Sequence, residues 1–372
     1  MNSISWNEGI VVDIIKSYED YQEINVKIDF GVRKAINYTM FTGIVNVGDQ
    51  ITVNTTAVEL SLGTGGYDFV VFNHSLKNKA LDKAPGHIMK LRYTPYQFKT
   101  LTVEEQDSDY HLEVEKFKTL NKFPVVVGTL HSQVSVFFES YKHLSKKDTT
   151  AVYIMTDGAA LPIQLSNNIR VLKSQKIIDY TITVGNAFGG DYEAVNIYSG
   201  IVFAYEVLKA DIIMICMGPG IVGTGTKYGF SGIEQGYILD AIEKLGGTPV
   251  ALPRISFSDS RDRHKGLSHH SITILKDIVN AHCIIPYSIT DLDKDSFINN
   301  QFADNGLDLK HTIINTKGYN YNEIVSEFIV KPKSMGRTYT DEPYLFDACI
   351  SASEFVLGGE ANAKYARENC LD

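Results

Sequence analysis

The chain has 372 residues, 44% hydrophobic and 21% charged, which is enough apolar material to bury two domain cores. Its formal net charge of −9 argues against general affinity for nucleic acid or for an anionic membrane surface, since neutralising phosphates requires an excess of Lys and Arg. The four cysteines, Cys216, Cys283, Cys349 and Cys370, form no CxxC, so no disulfide framework or zinc ribbon is expected and a reducing cytoplasm fits.

The N-terminus lacks the basic and apolar regions of a signal peptide, and the longest apolar runs are too short to cross a bilayer. Up to about Lys99 the chain alternates short runs rich in Val, Ile and Thr with turn residues. Examples are GIVVDIIKSY, QEINVKIDF, VRKAINYT and DQITVNTT. This spacing predicts a small β-barrel or sandwich over residues 1–100. Its expected role is a structural module or a surface for self-association into a homo-oligomer. The acidic segment 101–115 is expected to be a linker.

From residue 116 to 372 the rhythm changes to strand, helix, strand, helix. FPVVVG, TAVYIMT, DYTITVG, DIIMICMG, TPVALPRIS and AHCIIPYS are nearly continuous apolar runs, as expected of parallel strands covered on both faces. The fold class expected is therefore α/β: a small N-terminal β-barrel-like domain, then a Rossmann-like, mostly parallel, three-layer domain. Helical spacing is read over residues 192–210. Another helix comes after Ser231, with Ser231 and Glu234 placed as a capping box.

In such sheets ligands bind beyond the carboxyl ends of the strands. Polar residues stand at the end of each strand: His131, then Asp157, then Asn186 and Asp191, then a glycine-rich loop, then Arg254 and DSRDRHKGLSHHS. The loop contains Gly218, Gly220, Gly223, Thr224, Gly225 and Thr226. Glycines allow positive φ and close approach of a ligand, and rows of free N–H groups bind anions. The loop also matches GxGxxG. A dinucleotide fingerprint is disfavoured, because a helix should open at the second glycine and here TGTKYG intervenes. NADP or a flavin is therefore not expected. The alternative is a glycine loop that only packs tightly.

Ser268 is a natural N-cap, which places His269 and His270 in the first turn of a helix. The helix dipole there favours neutral imidazole, the form that accepts protons and ligates metals. Adjacent positions diverge by roughly 100°, so one ring can face the crevice while the other supports it. Arg254, Arg261, Arg263, His264 and Lys265 make a local positive cluster suited to a phosphate or carboxylate. The bland alternative is a solvated charged run with histidines that serve only the helix start. No HxH, HExxH or CxxC spacing supplies a metal site, so a metal requirement stays open.

The blocks NTTAVELSLGTGGYDFVV, GHIMKLRYTP, GPGIVGTGTKYGFSGIEQG, GLSHHS and MGRTYTDEPYLFDACISA resemble the bacterial proteins grouped as domain-of-unknown-function family 3866. The resemblance runs along almost the entire chain. It implies a soluble bacterial protein and carries no activity or catalytic residue to transfer. The residues themselves point first to an enzyme, a transferase or hydrolase, acting on a phosphorylated or otherwise anionic small molecule. In that reading His269 or His270 is base or ligand, Asp157 or Asp191 orients it, and the glycine loop with His131, Asn186, Arg254 and His264 binds the substrate. The alternatives are a non-catalytic ligand-binding or regulatory protein, and an interaction scaffold that uses the β domain.

Overall fold

The computed structural model describes residues 3–63, 65–76, 83–145, 147–316 and 321–358. Cys370 lies outside them. The chain divides into two compact units, one of residues 1–84 with 94–96, the other of 85–93 with 97–372.

The first unit is a closed barrel. Its strands are β1 (Trp6–Ser17), β2 (Tyr21–Ile28), β3 (Gly31–Tyr38), β4 (Gln50–Asn54) and β5 (Asp68–Asn73), in the order β1-β2-β3-β5-β4. β3 and β5 run parallel and the other pairs antiparallel. A five-stranded Greek-key barrel of this order has the topology of the OB-fold. Val11, Ile24, Val26, Ile51, Val53 and Val70 fill the interior, each from an alternate position of its strand.

The second unit is built on an eight-stranded parallel sheet. Its strands are β6 (Pro124–Val127), β7 (Ala151–Thr156), β8 (Tyr180–Val184), β9 (Tyr192–Ala194), β10 (Ile212–Met217), β11 (Thr248–Ala251), β12 (Ile284–Tyr287) and β13 (Thr312–Asn315). They lie in the order β9-β8-β7-β10-β6-β11-β12-β13. Both faces are covered, which is why the central strands read as unbroken apolar runs. Val126, Tyr153, Met155 and Met214 pack against α1 (Ser132–Leu144), α2 (Asn167–Ser174) and, late in the chain, Pro343–Leu357. Val125, Val127, Ile154 and Ile213 pack against α3 (Ile197–Glu206) and α4 (Glu234–Lys244). Together with the barrel, this is the α/β architecture expected from the sequence.

Several local expectations are corrected. Tyr192–Ala194 is strand β9, not the start of a helix, and the helix begins only at Ile197, capped by Asn196. The segment 101–115 does not behave as a linker. Thr102, Val103 and Glu105 are buried in the second unit. Two of its acids bind backbone: Glu105 accepts from Thr102 N and His87 N, and Glu104 accepts from Val195 N. Thr102 bridges Glu193, and Val103 N donates to Glu193 O along the outer edge of β9. The segment leading in also belongs to this unit. Lys90, 1% exposed, donates to Thr183 O, Ala187 O and Glu193.

Candidate functional site

β6 and β10 are neighbours, yet the chain leaves them on opposite faces of the sheet. β6 leads into α1 on one face, and β10 leads through the glycine loop into α4 on the other. A crevice opens where loops diverge in this way. Thr129 and Leu130 after β6, Ile221, Phe230 and Gly232 after β10, Arg254 after β11, and His270 with Ser271 line a small cleft there.

His270 is the histidine that faces the glycine loop. A Cβ added to Gly223 would lie 3.6 Å from its Cε1. Its ring stacks on Phe230 at 4.0 Å and 10°. The helix holding it, α5 (His269–Thr273), starts as the sequence predicts: Ser268 caps it by accepting from His270 N. It then loosens into a π-turn over Ile274–Ile278. His269 and His264 lie behind, with ring centres 4.1 and 5.3 Å from that of His270. His264 is buried and bonds Ser268 Oγ through Nδ1, so the charged run does not stay in solvent throughout.

The three imidazoles are held neutral. Burial pushes His270 down to about 4 and His264 to about 3, and His269 is lowered by the same cause. The positive charges of Arg254 and Arg261 add to the effect on all three. Neutrality was expected from the helix dipole; burial is the first cause here, and arginine charge adds to it. Among the described residues, no group of three or more His, Cys, Asp or Glu is arranged to hold a metal ion.

Arg254 is 7% exposed and lines the cleft. Its backbone is fixed from both sides, by Ser271 Oγ on its N–H and by Ser268 N on its carbonyl. Its Nη2 donates to Asp259 Oδ2 at 3.0 Å. Arg261 chelates the same carboxylate at 2.9 and 2.8 Å, and Arg337 Nη2 stands 3.7 Å away. Burial pulls the Arg254 guanidinium below its ordinary value, while these guanidiniums hold Asp259 well below the usual carboxylate range.

The other sequence-predicted residues scatter. The tip of the glycine loop folds on itself: Thr224 N donates to Gly229 O, and the Thr224 and Thr226 hydroxyls bond each other at 2.9 Å. Thr224, Gly225 and Thr226 are exposed there, and the base of the loop is what lines the cleft. Gly218 packs on Ala160 O, and Gly220 takes φ 109 beside open space. His131 is a brace and not a cleft residue. Its ring nitrogens meet Met217 O at 3.2 Å and Ser166 Oγ at 2.7 Å, and burial lowers it to about 4. Asp157 and Asn186 meet each other at the carboxyl ends of β7 and β8, where Asn186 N donates to Asp157 at 2.9 Å, but they do not line the cleft.

Asp191 is at the wrong end of the sheet to orient a histidine of the cleft. The chain turns back after β8 and pairs Tyr192 with Ile182, so Asp191 binds Thr181 N, Thr181 Oγ1 and Lys173 at the amino end. The Ser231–Glu234 capping box does not form either. Ser231 Oγ accepts from Val222 N, and the Glu234 carboxyl turns inward to Thr156 Oγ1. Burial raises Glu234 to about 7, with Asp157 adding to the shift. Sequence reasoning missed Phe230 and the meeting of Arg337 with Asp259. The first had a signal, an aromatic closing the loop; for the second, nothing in the sequence names Asp259 as the partner of Arg337.

No helix among the described residues is long and apolar enough to cross a membrane. No curated protein matches the chain. The model of the family described as Protein of unknown function (DUF3866) matches residues 34–353, and the chain therefore belongs to that family.

Proposed function

We propose that the cleft binds an anionic small molecule and that the protein is an enzyme, a transferase or hydrolase, in which His270 accepts a proton. Arg254 carries this reading. It is a buried guanidinium, fixed at its backbone, in the lining of the same cleft as His270. Burying such a charge is costly, and an oxyanion in the cleft would offset part of that cost. It would also offset the positive charge that depresses His270, moving the imidazole toward the range where a base works near neutral pH. His269 and His264 then serve as positioning residues behind the ring.

The test is incubation of the full chain with phosphorylated and carboxylated metabolites, followed by mass spectrometry. A compound converted by the wild type and spared by His270→Ala supports the reading. Turnover left unaltered in both His269→Ala and His270→Ala sinks it. One observation favours a second reading: among the described residues, no carboxylate lines the cleft to act as a paired acid. A metabolite that raises Tm and is recovered unchanged assigns a non-catalytic, regulatory binding protein.

A further inference from the structure

The Asp259 carboxylate is held by two arginines close to it in the chain, and a third from far along the chain stands nearby. Its Oδ2 receives Arg254 Nη2 at 3.0 Å and Arg261 Nη2 at 2.8 Å, and its Oδ1 receives Arg261 Nε at 2.9 Å and Arg261 N at 3.1 Å. Arg337 Nη2 approaches Oδ2 only to 3.7 Å, beyond hydrogen-bond distance. Glu342, 1% exposed, pairs with Arg337 Nε at 3.0 Å. Even with both carboxylates ionised, the three guanidiniums leave one positive charge over.

A carboxylate has two oxygens to offer three guanidiniums. Arg261 takes both, Arg254 shares one, and Arg337 is left at a distance. A phosphate group has three or more oxygens in a tetrahedral arrangement and can give each guanidinium its own acceptor. The anchoring is unequal in the same sense. Arg254 is pinned beside α5 and Arg337 is tied to Glu342, whereas Asp259 is carried on a loop whose Ser258, Ser260, Arg261 and Asp262 are exposed.

We propose that Arg254, Arg261 and Arg337 form a phosphate-binding site, and that Asp259 occupies it in the free protein as an internal substitute for the ligand's phosphate. The inference rests on the reading of the cleft as an anion site and narrows it: the ligand is a phosphorylated small molecule, with its phosphate on these arginines and the rest of it toward His270. Binding displaces the Asp259 carboxylate into solvent, while Arg261 on the same loop turns from it to the phosphate.

The experiment titrates inorganic phosphate into the full chain, with chloride at matched ionic strength and acetate as separate arms, by calorimetry and thermal shift. Asp259→Asn keeps the shape and removes the competing charge, so phosphate binds it about tenfold tighter or more than the wild type. Asp259→Asn with Arg261→Gln, a change at a half-exposed residue, loses that gain. Unchanged phosphate affinity in Asp259→Asn overturns the proposal, as does a gain that survives Arg261→Gln. An acetate response equal to that of phosphate overturns the assignment to phosphate. Should Asp259→Asn unfold in chloride, refolding in phosphate supports the site and failure to refold counts against it. None of these measurements involves turnover, so they can fail while the His270 test succeeds, or the reverse.

Discussion

The imidazole of His270 in α5 and the ring of Phe230 in the loop after β10 lie nearly parallel, 4.0 Å apart. Phe230 shields one face of the histidine from water, and burial is the first cause of its lowered pKa. Phe230→Ala therefore raises the His270 pKa from about 4 by roughly one pH unit or more toward its ordinary value. An NMR titration of the ring protons reads it directly. An unmoved pKa would place the cause in the arginines instead.

Acid should destabilise the protein through its buried histidines, against a partial offset from Glu234 and Asp347, which burial raises to about 7. His264, His270 and His131 have folded values of about 3, 4 and 4, against 6.5 when unfolded. Below 6.5 the unfolded chain takes up protons that the folded chain refuses, so stability falls as pH drops through that window. Urea unfolding at pH 7 and pH 5 measures it. Expected is a loss of roughly 2 kcal/mol or more, since each buried ring costs about 1.4 kcal/mol for every pH unit travelled below its unfolded value. A stability that rises toward pH 5 contradicts the burial of these rings.

Glu234 works in the opposite direction. Its folded value of about 7 lies above the ordinary 4.5, so the unfolded chain releases a proton that the folded chain retains between these values. That contribution costs stability as pH rises from 4.5 to 7 and stays lost above. Glu234→Gln removes the cost. The variant should gain roughly 2 kcal/mol on the wild type between pH 5 and pH 8, measured by the same unfolding series. An equal difference at both pH values would show that the carboxyl is not protonated in the folded state.

Gly158 makes room for that carboxyl. A Cβ there would overlap Glu234 Oε2. Gly158→Ala is expected to cost about 1 kcal/mol, since the half-buried position is overlapped only by the end of the Glu234 side chain. Combining it with Glu234→Ala removes the overlapping atoms and should recover much of that loss, seen as a coupling energy in a double-mutant cycle. Additive losses would mean that the two positions do not touch.

Lys90 is the amine that closes the carboxyl end of β8. Lys90→Met leaves Glu193, itself raised by burial, without its cation and strips a donor from two carbonyls. A loss of about 3–5 kcal/mol is expected in chemical denaturation, as for one partner removed from a buried pair. Adding Glu193→Gln should return part of it.

Legibility in the sequence tracks burial. Val125–Val127 and Ile212–Met217 are apolar on both sides because helices cover both faces, and a continuous run reports that directly. β9 escaped because three edge residues beside a helical pattern carry no periodicity of their own. The cleft was half legible. Position after a strand placed Arg254 and His270 at the carboxyl edge, and an N-cap put the two histidines on different sides of a turn. Asp191 misled because a loop after one strand can run back to the start of the next, and sequence position does not record the direction. The approach of Arg337 to Asp259 joins residues far apart in the chain, and such a meeting leaves no local trace.

The chain from Thr102 to Val103, laid along β9, bears on how the protein behaves in a crowded solution. An open strand edge presents unpaired N–H and C=O groups that recruit strands from other molecules. At this end of the sheet the outer groups of Glu193 already have a partner in the same chain, and β9 itself is only three residues long. The segment therefore acts as a cap on that border, and a change that pulls it away would uncover groups able to recruit foreign strands.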